Sequence, residues 1–350
     1  MTDLARHHKL RQLARNLHIP ESGDALRELR DHAIANVKEL IREWGVTSIE
    51  ELRLSLADRL SVKIEYLHTD DDVERIADTY GHVMAHFRRL LRAEFLKNDT
   101  EGLLVDNPHP GRGGRAYLAI IDARGNRAAR SYFTAWHELA HLLVYPPRQL
   151  VLEGFRRAPT SEAKTKDPVE SAVDHIAGLL AFWEPFFTPA LNQAANGTLT
   201  FQAIETATET VAPGASLYAA SLAAIRVWNG PAAFLTADIA CKQDGTNHAL
   251  RVLSIVANDA ARTAGCRVRK HMRIPRTSAL HGAFHDLLGR AQDASEDQSW
   301  WETSDRGPLP ALAWHALAVR RGPVLYALLT DMSTPITTAK PRPRTVALTR

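Results

Sequence analysis

Two histidines and a glutamate in residues 137–141 are the side chains of this chain best suited to chemistry. His137 and His141 stand four positions apart, so on a helix they share one face and both imidazoles can reach one metal ion. Glu138 points to an adjacent side, where its carboxylate can take a proton from a metal-bound water. This spacing is typical of zinc metallopeptidases. It predicts a metal, a base and a hydrolytic reaction together.

Other histidine pairs in the chain share this spacing but have no glutamate after the first histidine. They are His82 with His86 and His281 with His285. We interpret both pairs as ordinary helix histidines. The pair at 137 and 141 is flanked by apolar residues at 135–136 and 142–144, which predicts a mostly buried helix whose polar side chains need a partner. The alternative is a plain amphipathic helix.

A catalytic zinc site uses three protein ligands and a water, so a third ligand must come from elsewhere. The extended form of the motif with a third histidine is excluded, because Val144 and Pro147 occupy the positions where it has glycine and histidine. The acidic residues that follow are Glu153, Glu162, Asp167, Glu170, Asp174 and Glu184.

Glu170 is the best placed of these acids. Asp167 and Pro168 are typical of an N-cap and a first helical turn, and apolar residues then follow at helical spacing. We assign Glu170 as the third metal ligand. The alternative is a solvated carboxylate favoured by the helix dipole. Asp174 lies one turn further on the same face, and we expect it to orient a ligand histidine through its other ring nitrogen.

These segments resemble the ImmA/IrrE family of metallopeptidases. The resemblance rests on a strand at 117–121, the run 131–143 and the run 170–180, and it covers roughly residues 55 to 185. It implies that His137, His141 and Glu170 bind the metal and that Glu138 is the catalytic base. It also implies a protease of helix-turn-helix repressors that acts in stress or mobile-element responses.

The chain departs from the family pattern in three respects. A helical stretch, Asp70–Leu96, stands where the family has a short link between its first two strands, and the final proline of the last motif is shifted to Pro185. No repressor-type DNA-binding domain is evident before the peptidase segments. These differences concern the partner and the regulation rather than the metal ligands.

Composition bounds the class of protein. The chain has 350 residues, 45% of them hydrophobic, which allows two or three domains with buried cores. Two cysteines, Cys241 and Cys266, are too few for a disulfide framework, as is typical of a reducing compartment. The N-terminus lacks a secretory apolar core, and no apolar run reaches the roughly 18 residues that a membrane span needs. We expect a cytoplasmic protein with no membrane partner.

Charge alone neither demands nor excludes a nucleic-acid partner. The formal net charge is +3, which is small for this length. Arginines of the first two predicted helices, such as Arg27, Arg30 and Arg42, are more typical of a solvated face than of a nucleic-acid surface. Direct nucleic-acid binding is therefore not the favoured interpretation.

The pattern along the chain predicts five parts. Residues 1–46 are a helical extension, 47–195 the metallopeptidase core, 196–229 a helical segment, 230–335 a C-terminal α+β sensor-like domain and 336–350 a mobile tail. The helical segment could be a helix-turn-helix, but two packing helices are favoured because it has few basic residues. We expect an α+β fold: a mainly helical, gluzincin-like core with a small sheet, then a smaller α+β domain.

Strands are predicted from alternating or continuous apolar runs bounded by turn residues. They cover 61–67, 102–105, 116–121 and two hairpins, 232–240 with 248–256 and 311–319 with 324–330. The strand at 116–121 directly precedes the motif helix. It could be an edge strand that holds an extended substrate or an internal strand, and the sequence leaves both open. The acidic stretch 293–305 is predicted to be a surface loop.

The leading hypothesis is a zinc-type endopeptidase with a protein substrate, plausibly a DNA-binding repressor. Manganese would also suit two histidines and a glutamate. The alternative is a metal-containing transcription regulator or sensor without peptidase activity, in which 199–228 would contact DNA. A third alternative is a peptidase held inactive by its C-terminal domain. Glu138 favours the first hypothesis, because hydrolysis requires a carboxylate beside the ligands and a structural site does not.

Overall fold

The chain has a mixed α+β structure that divides into two compact units. In this computed structural model the described residues are 7–20, 23–81, 85–97, 100–107, 110, 114–145, 155–157, 167–241, 248–286, 289–303 and 307–333. Unit 1 comprises Met1–Ala190 and Ala207–Ala219, and unit 2 comprises Leu191–Thr206 and Ala220–Arg350. The five parts predicted from the sequence remain a prediction.

Unit 1 is mainly helical. Its helices are α1 (His8–Asn16), α2 (Ala25–Trp44), α3 (Ile49–Arg59), α4 (Asp70–Gly81), α5 (Ala85–Arg92), α6 (Ala128–Val144) and α7 (Pro168–Ala181). A π-helical turn, Ala93–Lys97, follows α5. The helical pattern predicted for Asp70–Leu96 is therefore confirmed in the part of it that the structure describes.

A four-stranded sheet lies in unit 1. Its strands are β1 (Val62–Leu67), β2 (Gly102–Asp106), β3 (Tyr117–Asp122) and β4 (Phe155–Arg157), in the order β1-β3-β2-β4. β3 pairs in parallel with β1 and antiparallel with β2, and β2 also pairs antiparallel with β4.

The strand before the motif helix is internal. β3 lies between β1 and β2, and Leu118, Ala119, Ile120 and Ile121 along it are all buried. A continuous apolar run suits a strand that is covered on both faces. The edge-strand alternative for 116–121 is therefore wrong, and β3 has no unpaired edge to offer a substrate.

Each of three further helices contains a position at which the chain passes between unit 1 and unit 2. They are α8 (Glu184–Ala195), α9 (Phe201–Val211) and α10 (Leu217–Val227). α9 and α10 fall within the predicted helical segment 196–229. Arg226 is the only basic residue of the two helices. None of the described helices is long and apolar enough to cross a membrane.

A five-stranded antiparallel sheet forms the centre of unit 2. Its order is β6-β5-β11-β10-β7. The strands are β5 (Ala232–Ala240), β6 (Ala249–Ala257), β7 (Gln292–Asp297), β10 (Ala313–Arg321) and β11 (Val324–Ser333). Both predicted hairpins are confirmed as the pairs β5–β6 and β10–β11. Two short helices, α11 (Asp259–Ala264) and α12 (Ala279–His285), and the short pair β8 (Glu302–Thr303) and β9 (Gly307–Pro308) complete the unit.

In its described part, residues 293–303, the stretch 293–305 is not the surface loop that its acidity predicts. It contributes most of β7, a 3-10 turn at Gln298–Trp300 and β8. Trp301 is fully buried, and Glu296 is buried as well. The Glu296 carboxylate accepts hydrogen bonds from the Ser278 hydroxyl at 2.8 Å and from the Ala279 amide at 2.5 Å. Because these donors satisfy its oxygens, the Glu296 carboxyl group can be buried, although an acidic side chain is normally excluded from a core.

Several sequence interpretations fall on residues outside the described part of the chain. They concern His82, Pro147, Glu153, Glu162 and the tail at 336–350.

Candidate metal centre

Helix α6 carries the histidine pair and the glutamate of the motif. It runs for 17 residues, and its apolar side chains such as Trp136 and Leu139 are fully buried. His137, Glu138 and His141 are each only 1% exposed. The two imidazole rings are 4.7 Å apart between centroids, and their Nε2 atoms are 3.0 Å apart. The Nε2 atoms of the two imidazoles therefore lie close enough together to bind one metal ion.

Helix α7 places Glu170 beside the two Nε2 atoms. The Asp167 carboxylate accepts a hydrogen bond from the Val169 amide at 2.9 Å, so α7 begins where the sequence predicts, with Pro168 in its first turn. Glu170 Oε2 lies 3.2 Å from His137 Nε2, and Oε1 lies 3.6 Å from His141 Nε2. The predicted third ligand thus stands beside both imidazoles.

These three side chains could hold a metal ion. One ligand atom from each lies within 4.8 Å of the other two. Zinc bonds of about 2.0–2.2 Å at tetrahedral angles separate ligand atoms by about 3.3–3.6 Å. The separations of 3.0, 3.2 and 3.6 Å lie close to that range. Two imidazole nitrogens and one carboxylate oxygen are also donors that zinc accepts.

Asp174 lies behind His137. Its Oδ1 is 2.7 Å from His137 Nδ1. A carboxylate can only accept, so a neutral imidazole here carries its proton on Nδ1 and keeps the Nε2 lone pair with which it can bind a metal ion. This is the orienting contact that the sequence analysis assigned to Asp174.

Glu138 lies against the start of strand β2. A Cβ atom at Gly102 would be 2.5 Å from Glu138 Oε1 and 2.6 Å from Thr134 Cγ2. Only glycine allows this approach of the strand to the helix. Gly102 was not among the residues predicted from the sequence, although a glycine in an apolar strand often marks a close backbone approach.

Among the described residues, Asp167 and Glu184 do not belong to the group that could hold a metal ion. Asp167 caps α7 and forms an ion pair with Lys9 at 2.8 Å. Glu184 is exposed in the first turn of α8. Glu153 and Glu162 are outside the described residues.

Two tyrosines flank the histidines on α6 and differ in their surroundings. The Tyr132 hydroxyl donates to the Ala181 carbonyl at 2.7 Å, and burial raises the pKa of this phenol. Tyr132 thus ties α6 to the end of α7. Tyr145 follows His141 by four residues, and its ring centroid lies 6.0 Å from that of His141. Tyr145 was not among the residues predicted from the sequence, although its spacing of four from His141 places the two on one helix face.

A buried carboxylate fixes the entry to α6. Asp122 ends β3 and is 1% exposed. It accepts from Arg124 Nη2 at 2.7 Å and also bonds Arg127. Arg124 Nη2 in addition donates to the Phe95 carbonyl at 2.7 Å. These bonds hold the short connection from β3, and so they set where α6 presents its histidines.

Comparison with known proteins adds little to this description. No family model and no curated protein matches the chain. One similar solved structure is described as a Mycobacterium tuberculosis transcriptional regulator, with a TM-score of 0.43 and 12% identity over 95% of this chain and 81% of that chain. The fold and the site define a mixed α+β protein with a side-chain group that could hold a metal ion.

Proposed function

We propose that the chain is a zinc-dependent endopeptidase. The observation that carries this proposal is the position of Glu170, whose carboxylate oxygens lie 3.2 and 3.6 Å from two imidazoles on another helix. Glu138, on the same helix as those imidazoles, adds a carboxylate that the ligand set does not need. A structural site has no use for such a group, whereas hydrolysis does.

Each residue of the site has a separate role in the proposed hydrolysis. His137, His141 and Glu170 would hold the zinc ion, which would supply a Lewis acid that makes water more acidic. Glu138 takes a proton from the attacking water and passes it to the leaving amine. Asp174 keeps the His137 lone pair directed at the ligand cluster, and Gly102 leaves room for the Glu138 carboxylate. Tyr145, whose ring lies beside that of His141, is our candidate for the donor to the scissile carbonyl oxygen as negative charge develops there.

The substrate we propose is a protein, and in particular a helix-turn-helix repressor in the same cytoplasm. This rests on the resemblance of residues 131–143 and 170–180 to the ImmA/IrrE family. Zinc is our choice of metal, and manganese remains an alternative because the same donors accept it.

The test compares the full chain with Glu138→Gln on candidate repressors from the same genome. We expect cleavage to fall by about 10²–10⁴-fold, because a general base contributes that much, while the metal content stays the same. Tyr145→Phe should also lower kcat with the metal retained. Glu184→Gln, an exposed change of the same chemistry, is the control and should cleave like the wild type.

The metal content of His141→Ala and Glu170→Ala completes the test. We expect both variants to lose the ion. Equal cleavage by the wild type and Glu138→Gln would refute the role of Glu138. Stoichiometric metal with no cleavage of any candidate would favour a metal-containing regulator instead.

A further inference from the structure

Unit 2 carries an exposed run of basic residues at one edge of its sheet. We call residues 267–276 the basic ribbon. The basic residues of the ribbon are Arg267, Arg269, Lys270, Arg273 and Arg276. These ten positions hold five basic and no acidic residues, although the whole chain has a net charge of only +3. All five basic residues are exposed.

The ribbon is fixed to strand β6 by backbone hydrogen bonds. The His271 amide donates to the Val252 carbonyl at 2.7 Å, and the Val252 amide donates to the Met272 carbonyl at 2.9 Å. The Ile274 amide donates to the Leu250 carbonyl at 2.9 Å. Met272 and Ile274 are buried, so the apolar side chains face the core while the charged ones face solvent.

A buried arginine ties the ribbon further. Arg251 is 7% exposed, and its guanidinium donates to the Ala240 carbonyl at 3.2 Å and the His271 carbonyl at 3.1 Å. The ribbon turns at Lys270 and His271, where His271 has φ +70° and the Met272 amide donates to the Arg269 carbonyl at 3.3 Å. The backbone that carries the charged side chains is therefore fixed before binding, so less conformational entropy is lost when a ligand binds.

The positive charge of the ribbon acts on a neighbouring imidazole. The pKa of His281 on α12 is lowered by burial first and then by the nearby charges of His285, Arg276 and Arg273. Within the described ranges, no carboxylate forms an ion pair with any of the five basic side chains of the ribbon, whereas nearby Arg262 and Arg290 pair with Asp259 and Asp286.

We propose that the basic ribbon binds duplex nucleic acid through its phosphates. Four of the five cations are arginines, which bond phosphate oxygens in pairs, and a polyphosphate supplies the row of anions that a row of fixed cations fits. The ribbon exposes no large apolar side chain for insertion into a membrane. It has no phenylalanine, tyrosine or tryptophan on which bases of a single strand could stack. Phosphate contacts therefore carry the binding, with little base readout.

This surface differs from the segment 199–228, and it does not depend on the metal centre. The experiment measures fluorescence anisotropy of a labelled duplex of about 20 base pairs with the full chain, between about 50 and 200 mM salt. We expect binding that weakens steeply with salt. The triple variant Arg269→Gln/Lys270→Gln/Arg273→Gln should lose at least about tenfold in affinity at low salt and about 2.7 in the salt slope.

A triple variant on α2 is the matched control. Arg27→Gln/Lys38→Gln/Arg42→Gln removes the same charge from exposed positions and should leave the salt slope unchanged. Thermal melting of both triples checks that they are folded. Arg276→Gln, a single exposed change, should lower the slope by about one. Glu138→Gln should bind the duplex like the wild type.

Three results would overturn the proposal. The first is no binding of the duplex by the wild type at low salt. The second is an equal loss in both triple variants, which would assign the effect to net charge alone. The third is binding of phosphatidylserine vesicles without binding of the duplex, which would assign the ribbon to an anionic membrane surface.

Discussion

His137 is held from both sides of its imidazole ring. Asp174 lies 2.7 Å from Nδ1, and Glu170 lies 3.2 Å from Nε2. Because the ring is nine-tenths or more buried, it has little freedom to rotate away from these two carboxylates. Asp174 therefore orients a proposed metal ligand, His137, without being a ligand itself.

Replacing that carboxylate tests its contribution. Asp174→Asn should weaken zinc binding about 10–100-fold, because the imidazole loses the partner that fixes its tautomer and raises its basicity. Competition with a chelator of known affinity measures the change. Asp71→Asn, an exposed change on α4, should leave the affinity as it is. Unchanged zinc affinity in Asp174→Asn would remove this residue from the centre.

Gly102 sets the space around Glu138. Gly102→Ala would place a methyl group 2.5 Å from Glu138 Oε1, so the carboxylate or the strand must move. We expect at least about a tenfold loss of cleavage with the metal retained, and a destabilisation of about 1–3 kcal/mol from overpacking. Cleavage, metal content and thermal melting measure the three effects.

The control for this substitution is Gly282→Ala on α12. A Cβ at Gly282 meets no atom within 4 Å, so the extra methyl should be neutral or slightly stabilising in a helix. Full activity in Gly102→Ala would show that Glu138 does not need its present position.

Strand β7 and helix α12 are joined by one buried acid. Glu296 of β7 accepts bonds from Ser278 and Ala279 at the start of α12. Burial raises its pKa above the ordinary value of 4.5, despite these donors. At the scale of the element, this single contact explains how an acidic stretch became a strand of the sheet.

The raised pKa of Glu296 predicts a dependence of stability on pH. The folded carboxyl group holds its proton more tightly than the unfolded one, so its contribution to stability is present below pH 4.5. That contribution is lost as the pH rises through the raised folded pKa. Glu296→Gln should flatten the decline in the Tm of unit 2 between about pH 4 and pH 8.

Melting at several pH values tests this expectation. Glu209→Gln, an exposed substitution on α9, should keep the pH profile of the wild type. A profile of Glu296→Gln that parallels the wild type across the range would contradict the assignment.

The two units carry different sites. The candidate metal centre lies in unit 1, since its ligands are on α6 and α7, and the basic ribbon lies in unit 2. At the scale of the whole molecule, an ion that binds only the folded centre stabilises the unit that contains it by mass action.

Metal removal should therefore act on one unit. Metal at about 100 times its Kd contributes about 2.7 kcal/mol, so a chelator should lower the Tm of unit 1 by several degrees. Calorimetry with and without chelator measures this shift. His141→Ala should show no response to the chelator, and an equal shift in that variant would point to an effect unrelated to the centre.

Much of the candidate site follows from local spacing in the sequence. The i,i+4 histidines, the N-cap at Asp167 and the carboxylates at 170 and 174 are periodic features of single helices, so their faces could be predicted from helix geometry. The hairpins of unit 2 follow similarly from alternating apolar residues and turns.

Contacts between distant segments were decided only by the tertiary structure. Residues 102 and 138 meet because β2 packs beside α6. Residues 293–297 lie in a sheet, where Ser278 and Ala279 supply donors to the buried Glu296. The ribbon is exposed because β6 holds its backbone. Each depends on pairing across a long sequence separation, which the local periodicity does not encode. The sequence by itself determined which side chains share a helix face, and packing between segments determined what each face meets.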